Sequence, residues 1–322
     1  MTVILAAEPI PEQHVEDLQQ QGLTIINLDN VQPEQLATID IMFGWNKMVG
    51  PKILATPNHR LKWIQAASSG VDYLPLATLS EQGIIVSNAK GMHAVPIAQT
   101  VMSYILYFTR GIRQSLSSQA NKEWRHHEIG RATETLEHRT IMVFGTGQIG
   151  HQIAVYAKAL GLKTIGINRH GEKRDAFDEI LTDQDYQTKL ADADFVVNMM
   201  PLTPETENFF DTAFFNAMGE GHYFFNLGRG ASINETALMA QLNNGHLAGA
   251  AIDVAQTEPL PETSPLWTTT NLVITPHISG YIPDIHERLF RIFEQNLPVF
   301  LTDGQLAVNQ VDLSVWLLKN KT

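Results

Sequence analysis

The chain reads as α/β, with two parallel-sheet domains and a cleft between them, and three observations carry that reading. Short apolar runs alternate with amphipathic helical patterns along nearly the whole length. One such run, Arg139-Thr140-Ile141-Met142-Val143-Phe144, passes directly into Gly145-Thr146-Gly147-Gln148-Ile149-Gly150. Downstream, Asn226-Leu227-Gly228-Arg229-Gly230, Glu258-Pro259-Leu260 and Thr275-Pro276-His277 each follow or close a strand-like run. Both sheets are therefore expected to be Rossmann-like or flavodoxin-like, with functional residues at the carboxyl ends of their strands.

The elements follow in order. Apolar runs at 2–7, 23–27, 39–43, 61–66 and 83–88 are bounded by Pro, Gly, Asn or Asp and read as strands. Helical patterns at 11–21 and 51–55 lie between them, which makes one small α/β domain. From 93 to about 119, Ala98, Val101, Met102, Ile105, Leu106, Ile112 and Leu116 recur at spacings of three and four, predicting one long helix linking two domains. The glycine-rich stretch opens a helix running to Leu160 and capped by Gly161. Strands are predicted at 163–167, 195–199, 223–227, 248–254 and 272–274, with a helix at 235–243. A last helical pattern, 284 to about 302, is expected to return to the first domain. The boundaries drawn on this basis are 1–99 completed by 284–322, and 100–283.

Composition narrows the function classes. The chain has 322 residues, 44% hydrophobic and 17% charged, enough to bury a large core in each of two domains. Its net charge of −12 argues against nucleic acid and anionic membrane surfaces as partners. With no Cys there are no disulfides or thiolate sites, and a cytoplasmic location is expected. The segment Met1 to Glu8 carries no basic n-region and reads as a first buried strand. No apolar stretch approaches the roughly 18 residues of a membrane span. His126-His127 is the most metal-like pair, but adjacent side chains are expected to diverge and no third ligand is near, so no metal is expected.

The stretch Gly145 to Gly150 has strand before it, helix after it and a second strand within one βαβ unit, the context a dinucleotide fingerprint requires. Gly145 permits the tight turn, Gly147 lets backbone approach a pyrophosphate, and Gly150 lets helix pack on sheet. The helix start at Gln148 and Ile149 offers free N–H groups to the phosphates. At the end of the next strand an NAD site generally has an acid for the ribose 2′-OH. This chain has Asn168-Arg169-His170 instead, with no acid until Glu172. Asn168 would not repel a 2′-phosphate and Arg169 could meet one, so NADP(H) is favoured, with NAD(H) still compatible.

An arginine, an acid and a histidine at strand ends beside a dinucleotide site suit hydride exchange with a 2-keto acid. The substrate is an anion with an electrophilic carbonyl. Arg229 offers a planar fork for the carboxylate. His277 titrates near physiological pH and can give or take the proton. Glu258 would stabilise the imidazolium and orient the ring.

These motifs, with Asn88-Ala89-Lys90-Gly91 and Met200-Pro201-Leu202-Thr203-Pro204-Glu205-Thr206, make the chain resemble the D-isomer-specific 2-hydroxyacid dehydrogenase family over nearly its whole length. The resemblance implies that 100–283 is the dinucleotide-binding domain and the remainder the substrate domain. It implies that Arg229 binds the substrate carboxylate and keto oxygen, that His277 is the acid–base residue, and that Glu258 hydrogen-bonds it. Met200, Pro201, Thr206, Leu227, Gly228 and Asp253 would line the cofactor, with Asp253 near the nicotinamide amide. Ser69-Gly70 would present N–H groups to the carboxylate, and Trp45 would lie near the substrate's side chain. A homodimer is implied, built on the 93–119 helix and the arm carrying Trp124. Gln99 departs from the Glu common in the family's hinge helix, and Asn168-Arg169 resembles NADPH-using glyoxylate and hydroxypyruvate reductases. The expected activity is reduction of a small 2-keto acid to the D-2-hydroxy acid. Two alternatives stay open: a dinucleotide-sensing binding module with vestigial catalysis, and NAD-linked oxidation of a hydroxy acid.

Overall fold

Among the residues that the computed structural model describes, 2–71 and 73–313, twelve strands form two wholly parallel sheets. The chain divides into two units, Met1–Met92 with Ile282–Thr322, and His93–Tyr281.

The first unit holds β1 (Val3–Ala6), β2 (Thr24–Asn27), β3 (Ile41–Phe43), β4 (Trp63–Gln65) and β5 (Ile85–Ser87), in the order β2-β1-β3-β4-β5. Strand order reverses between β1 and β3. The C-terminal helix Ile285–Asp303 closes one face of this sheet. Its Phe293 stacks on Trp63 at 4.8 Å and meets Phe43 edge-on at 5.1 Å. Helix Glu12–Gln20 joins the same face, with His14 stacked on Phe290 at 4.1 Å and bonded to Glu287 at 2.9 Å. Each such buried phenyl contributes on the order of 1.5–3 kcal/mol. That burial is why residues distant in sequence complete this unit.

The second unit holds β6 (Thr140–Phe144), β7 (Lys163–Ile167), β8 (Glu179–Leu181), β9 (Phe195–Asn198), β10 (His222–Asn226), β11 (Leu247–Ile252) and β12 (Leu272–Ile274). Their order is β12-β11-β10-β9-β6-β7-β8, so the direction of winding reverses between β6 and β9. Neighbouring side chains of β10 show how both faces are buried. Phe224 meets Phe215 at 5.0 Å on one face, while Phe225 meets Tyr104 of helix Ala94–Thr109 at 5.8 Å on the other. Helices Ala94–Thr109 and Gln148–Ala159 supply the second face. A cluster of Phe210, Phe214 and helix Glu235–Asn243 supplies the first.

Three local expectations change. The pattern from 93 to 119 is two helices, Ala94–Thr109 and Ile112–Ala120, parted at Gly111 with φ +67°. A Cβ there would lie 2.7 Å from the Ile129 methyl, so this position needs glycine for space as well as conformation. Strand β8 was not foreseen, because three partly solvated residues carry no readable period. The His126 and His127 rings do not diverge but meet edge-on at 4.9 Å. Among the described residues no helix is long and apolar enough to cross a membrane.

Candidate active site

The loops leaving β6 and β9 meet at the reversal point of the larger sheet. Gly145 has φ +102°, and a Cβ on it would lie 2.9 Å from the Met199 carbonyl oxygen. At Gly150 a Cβ would lie 2.0 Å from the Gly145 oxygen, so the helix could not pack so closely. Gly147 differs, since a Cβ there meets nothing within 4 Å. The three glycines thus permit a turn, an open approach to backbone, and close helix packing, which is what a dinucleotide phosphate needs. Gln148 and Ile149 begin the helix, with Gly147 as its N-cap. Met200 N–H donates to Asn198 Oδ1 at 2.9 Å, and Thr206 Oγ1 donates to the Pro201 carbonyl at 2.8 Å, closing the 201–206 loop on itself.

Arg229 follows β10 on a loop whose backbone is fixed from beneath. Its carbonyl accepts from Asn226 Nδ2 at 3.1 Å and Ser232 Oγ at 2.5 Å. Asn198 Nδ2, from the register-matched end of β9, donates to Asn226 Oδ1 at 2.8 Å and Ser232 Oγ at 2.7 Å. All three supporting side chains are fully buried. Leu227 is buried too, and Gly228 N–H donates to Asn226 Oδ1 at 3.2 Å. A Cβ on Gly230 would sit 1.9 Å from the Ala255 oxygen, so the Arg229 loop abuts the loop bearing Glu258. The Arg229 side chain itself is exposed, and its Nη1 donates to the Gly228 carbonyl at 2.7 Å. Among the described residues no carboxylate lies within ion-pair distance of it.

Glu258 and His277 are brought together across 19 residues. Glu258 Oε2 accepts from His277 Nδ1 at 2.8 Å, while its Oε1 accepts from Ala255 N–H at 3.0 Å. Partial burial opposes ionisation of Glu258, but the His277 and Ala255 bonds outweigh it and hold the carboxyl below its usual value. An ionised carboxylate only accepts, so Nδ1 carries the proton and Nε2 is the ring nitrogen that does not face Glu258. The His277 backbone has φ +56°, which costs a non-glycine residue roughly 1–2 kcal/mol. Its N–H to the Asp253 carbonyl, 2.8 Å, helps to hold that conformation. A cavity of about 560 Å³ opens on this pair, walled by Leu260, Trp267, Ile274 and Pro276.

Asp253 is 2% exposed, and its carboxylate lies inside the His277 turn. It accepts from Thr275 Oγ1, Ile278 N–H at 3.0 Å, Ser279 N–H at 3.0 Å and Ser279 Oγ. Asn168, just after β7, is likewise occupied by its own loop. It donates to Thr146 Oγ1 at 3.1 Å and the Glu172 carbonyl at 2.9 Å, and accepts from His170 and Glu172 N–H. Arg169 and His170 are exposed, and Arg169 Nη2 lies 3.8 Å from Glu205. In the first unit, Trp45 is partly buried after β3, so close to Gly50 that a Cβ there would meet its ring at 2.4 Å. Ser69 and Gly70 are exposed after β4, where Asn88 Nδ2 donates to the Ser69 carbonyl at 2.8 Å.

Sequence reasoning missed Asn198, Asn226 and Ser232 as the frame under Arg229. The available signal was an Asn ending each of two otherwise apolar runs, Phe195-Val196-Val197-Asn198 and Tyr223-Phe224-Phe225-Asn226. It also missed Tyr104 and Ser279, which no local pattern marks.

Residues 102–279 match the model of the D-isomer specific 2-hydroxyacid dehydrogenase NAD-binding domain. Glyoxylate/hydroxypyruvate reductase B of Salmonella paratyphi A is 29% identical, over 96% of this chain and 97% of that enzyme. D-3-phosphoglycerate dehydrogenase of Methanocaldococcus jannaschii is 29% identical over 97% of the chain, which spans 60% of that enzyme's length. Among solved structures, phosphoglycerate dehydrogenase from Lactobacillus plantarum is 36% identical with a TM-score of 0.60, over 97% of this chain and all of that one.

Proposed function

The chain belongs to the D-isomer specific 2-hydroxyacid dehydrogenase family, and from that premise we propose that it reduces a small 2-keto acid to the D-2-hydroxy acid, with NADPH favoured. The observation that carries the reading is the His277–Glu258 bond of 2.8 Å, beside a loop that holds Arg229 free of any carboxylate partner among the described residues.

When bound, the nicotinamide supplies a hydride to the keto carbon. Arg229 binds the substrate carboxylate and draws electron density onto the keto oxygen. His277 gives that oxygen a proton from Nε2, while Glu258 holds Nδ1–H and balances the imidazolium charge. Hydride and proton together complete the alcohol, and the reverse sequence oxidises it.

Gly145, Gly147, Gln148, Ile149 and Gly150 would hold the pyrophosphate; Met200, Pro201, Thr206, Leu227, Gly228 and Asp253 would flank the remainder. The preference for NADPH is supported by the neutral Asn168 and the exposed Arg169 at the end of β7. Glu205 is the group a 2′-phosphate would displace from Arg169.

A homodimer belongs to the same reading. Trp124, 94% exposed, lines a cavity of about 670 Å³ together with Gln119, Lys122 and Ile129, and Leu116 of helix Ile112–Ala120 is 54% exposed. A second copy of this chain would cover that surface.

Turnover of a keto-acid panel with NADPH and with NADH tests the proposal. Reduction of at least one 2-keto acid, faster with NADPH, is expected. Tight dinucleotide binding without turnover of any acid would instead indicate a sensing module.

A further inference from the structure

We infer that Tyr104 is a positioning residue for His277, acting through Thr275 and Asp253. The inference rests on the proposal that His277 is the proton donor.

Tyr104 lies within helix Ala94–Thr109 and is 4% exposed. Its hydroxyl lies 2.6 Å from Thr275 Oγ1, which in turn bonds Asp253 Oδ1. The directions of these bonds follow from chemistry. Asp253 as a carboxylate only accepts, so the single Thr275 hydroxyl proton is committed to it. Thr275 Oγ1 must then accept from Tyr104, which is the donor at the head of the chain. Burial pushes the Tyr104 phenol up to about 12, so it keeps its proton throughout the working pH range.

Asp253 is where this chain of bonds reaches the turn. Its carboxylate gathers Ile278 N–H, Ser279 N–H and Ser279 Oγ on the far side of His277, while its carbonyl takes the His277 N–H. His277 is thereby held at φ +56°, a conformation it would not keep unaided. The same helix grips the other end of the turn. His93, its N-cap, places Nδ1 2.8 Å from the Gly280 carbonyl. The ring presented to Glu258 thus sits on a turn held at Thr275 and Gly280 by one rigid helix. Removing the Tyr104 hydroxyl leaves the partly buried Thr275 Oγ1 without its donor and frees the first of those anchors.

The test compares Tyr104→Phe, Thr275→Val, their double variant, Thr275→Ser and His277→Asn in the full-length protein. Steady-state kinetics, dinucleotide Kd, thermal melts and the His277 ring signal by NMR without ligand are read for each. Tyr104→Phe and Thr275→Val should each lower kcat about 5- to 30-fold, with KM and dinucleotide Kd within about twofold of the parent. The double variant should be no worse than Thr275→Val, Thr275→Ser should stay near the parent, and the His277 signal should shift or broaden in Tyr104→Phe. Full parental kcat in Tyr104→Phe, with His277→Asn inactive, overturns the inference and leaves the functional reading standing. Loss that tracks only a lowered melting temperature, or that falls equally on dinucleotide Kd, also overturns it. Parental activity in His277→Asn would remove the functional reading itself.

Discussion

Arg229 and Arg169 both stand just beyond parallel strands of one sheet, yet they are held in opposite ways. Beneath Arg229 the backbone is fixed by three fully buried side chains, and a glycine presses its loop against the loop of Glu258. Arg169 sits on an exposed loop organised by Asn168, with Glu205 as a loose counter-charge at 3.8 Å. Under the proposed function, the difference is one of demand. A group that must meet a developing negative charge needs its position settled before substrate arrives. A group that selects between two cofactors needs only to reach one phosphate, and solvated ion pairs contribute little to stability on either side.

The strongest test of the rigid region lies at its histidine. His277→Asn should lower kcat by about 10²- to 10⁴-fold with dinucleotide affinity retained, measured by stopped-flow reduction and by fluorescence titration of the cofactor. A smaller loss would mean that solvent delivers the proton.

Arg229→Ala should come next, reducing kcat/KM by on the order of 3 kcal/mol through both KM and kcat. Dinucleotide Kd should barely move. An equal weakening of dinucleotide and substrate would make Arg229 a phosphate ligand and dissolve the contrast with Arg169.

The loose region predicts a smaller and purely selective effect. A preference for NADPH of about 5- to 150-fold in kcat/KM corresponds to one charge-assisted bond of roughly 1–3 kcal/mol. Arg169→Ala should flatten it, Asn168→Asp should reverse it, and kcat should stay near the parent in Arg169→Ala. Equal efficiency with both cofactors, unchanged in Arg169→Ala, would show that the arginine serves only Glu205.

Glu258→Gln gives the smallest expected change, a displacement of the pH profile. In the proposed mechanism reduction needs protonated His277, and the variant removes the neighbouring charge, so the alkaline limb should move toward lower pH. On the acid side the sign follows from Glu258, whose value is depressed in the folded protein. What it adds to stability is present above its ordinary value of about 4.3 and is lost as pH falls through the lower folded value. Melting curves of parent and variant should therefore differ at neutral pH and converge in strong acid. Superimposable profiles would remove Glu258 from the mechanism.

Much of this protein is written in short stretches of chain. The glycines at 145, 147 and 150 act through backbone freedom and close approach, which depend on residues a few positions apart. The ordered Arg, Glu and His motifs are likewise local, as are the strand runs that carry them. What lies outside such reach is set by register and packing. Asn198 meets Asn226 because β9 and β10 pair in one particular register, and Tyr104 meets Thr275 across 171 residues because a helix crosses that sheet face at one height. The same holds for Asp253, whose carboxylate gathers the N–H groups of Ile278 and Ser279 beyond His277. Hydrogen bonds of this kind join groups from separate elements, so no periodicity records them. They exist only once hydrophobic burial has brought those elements together.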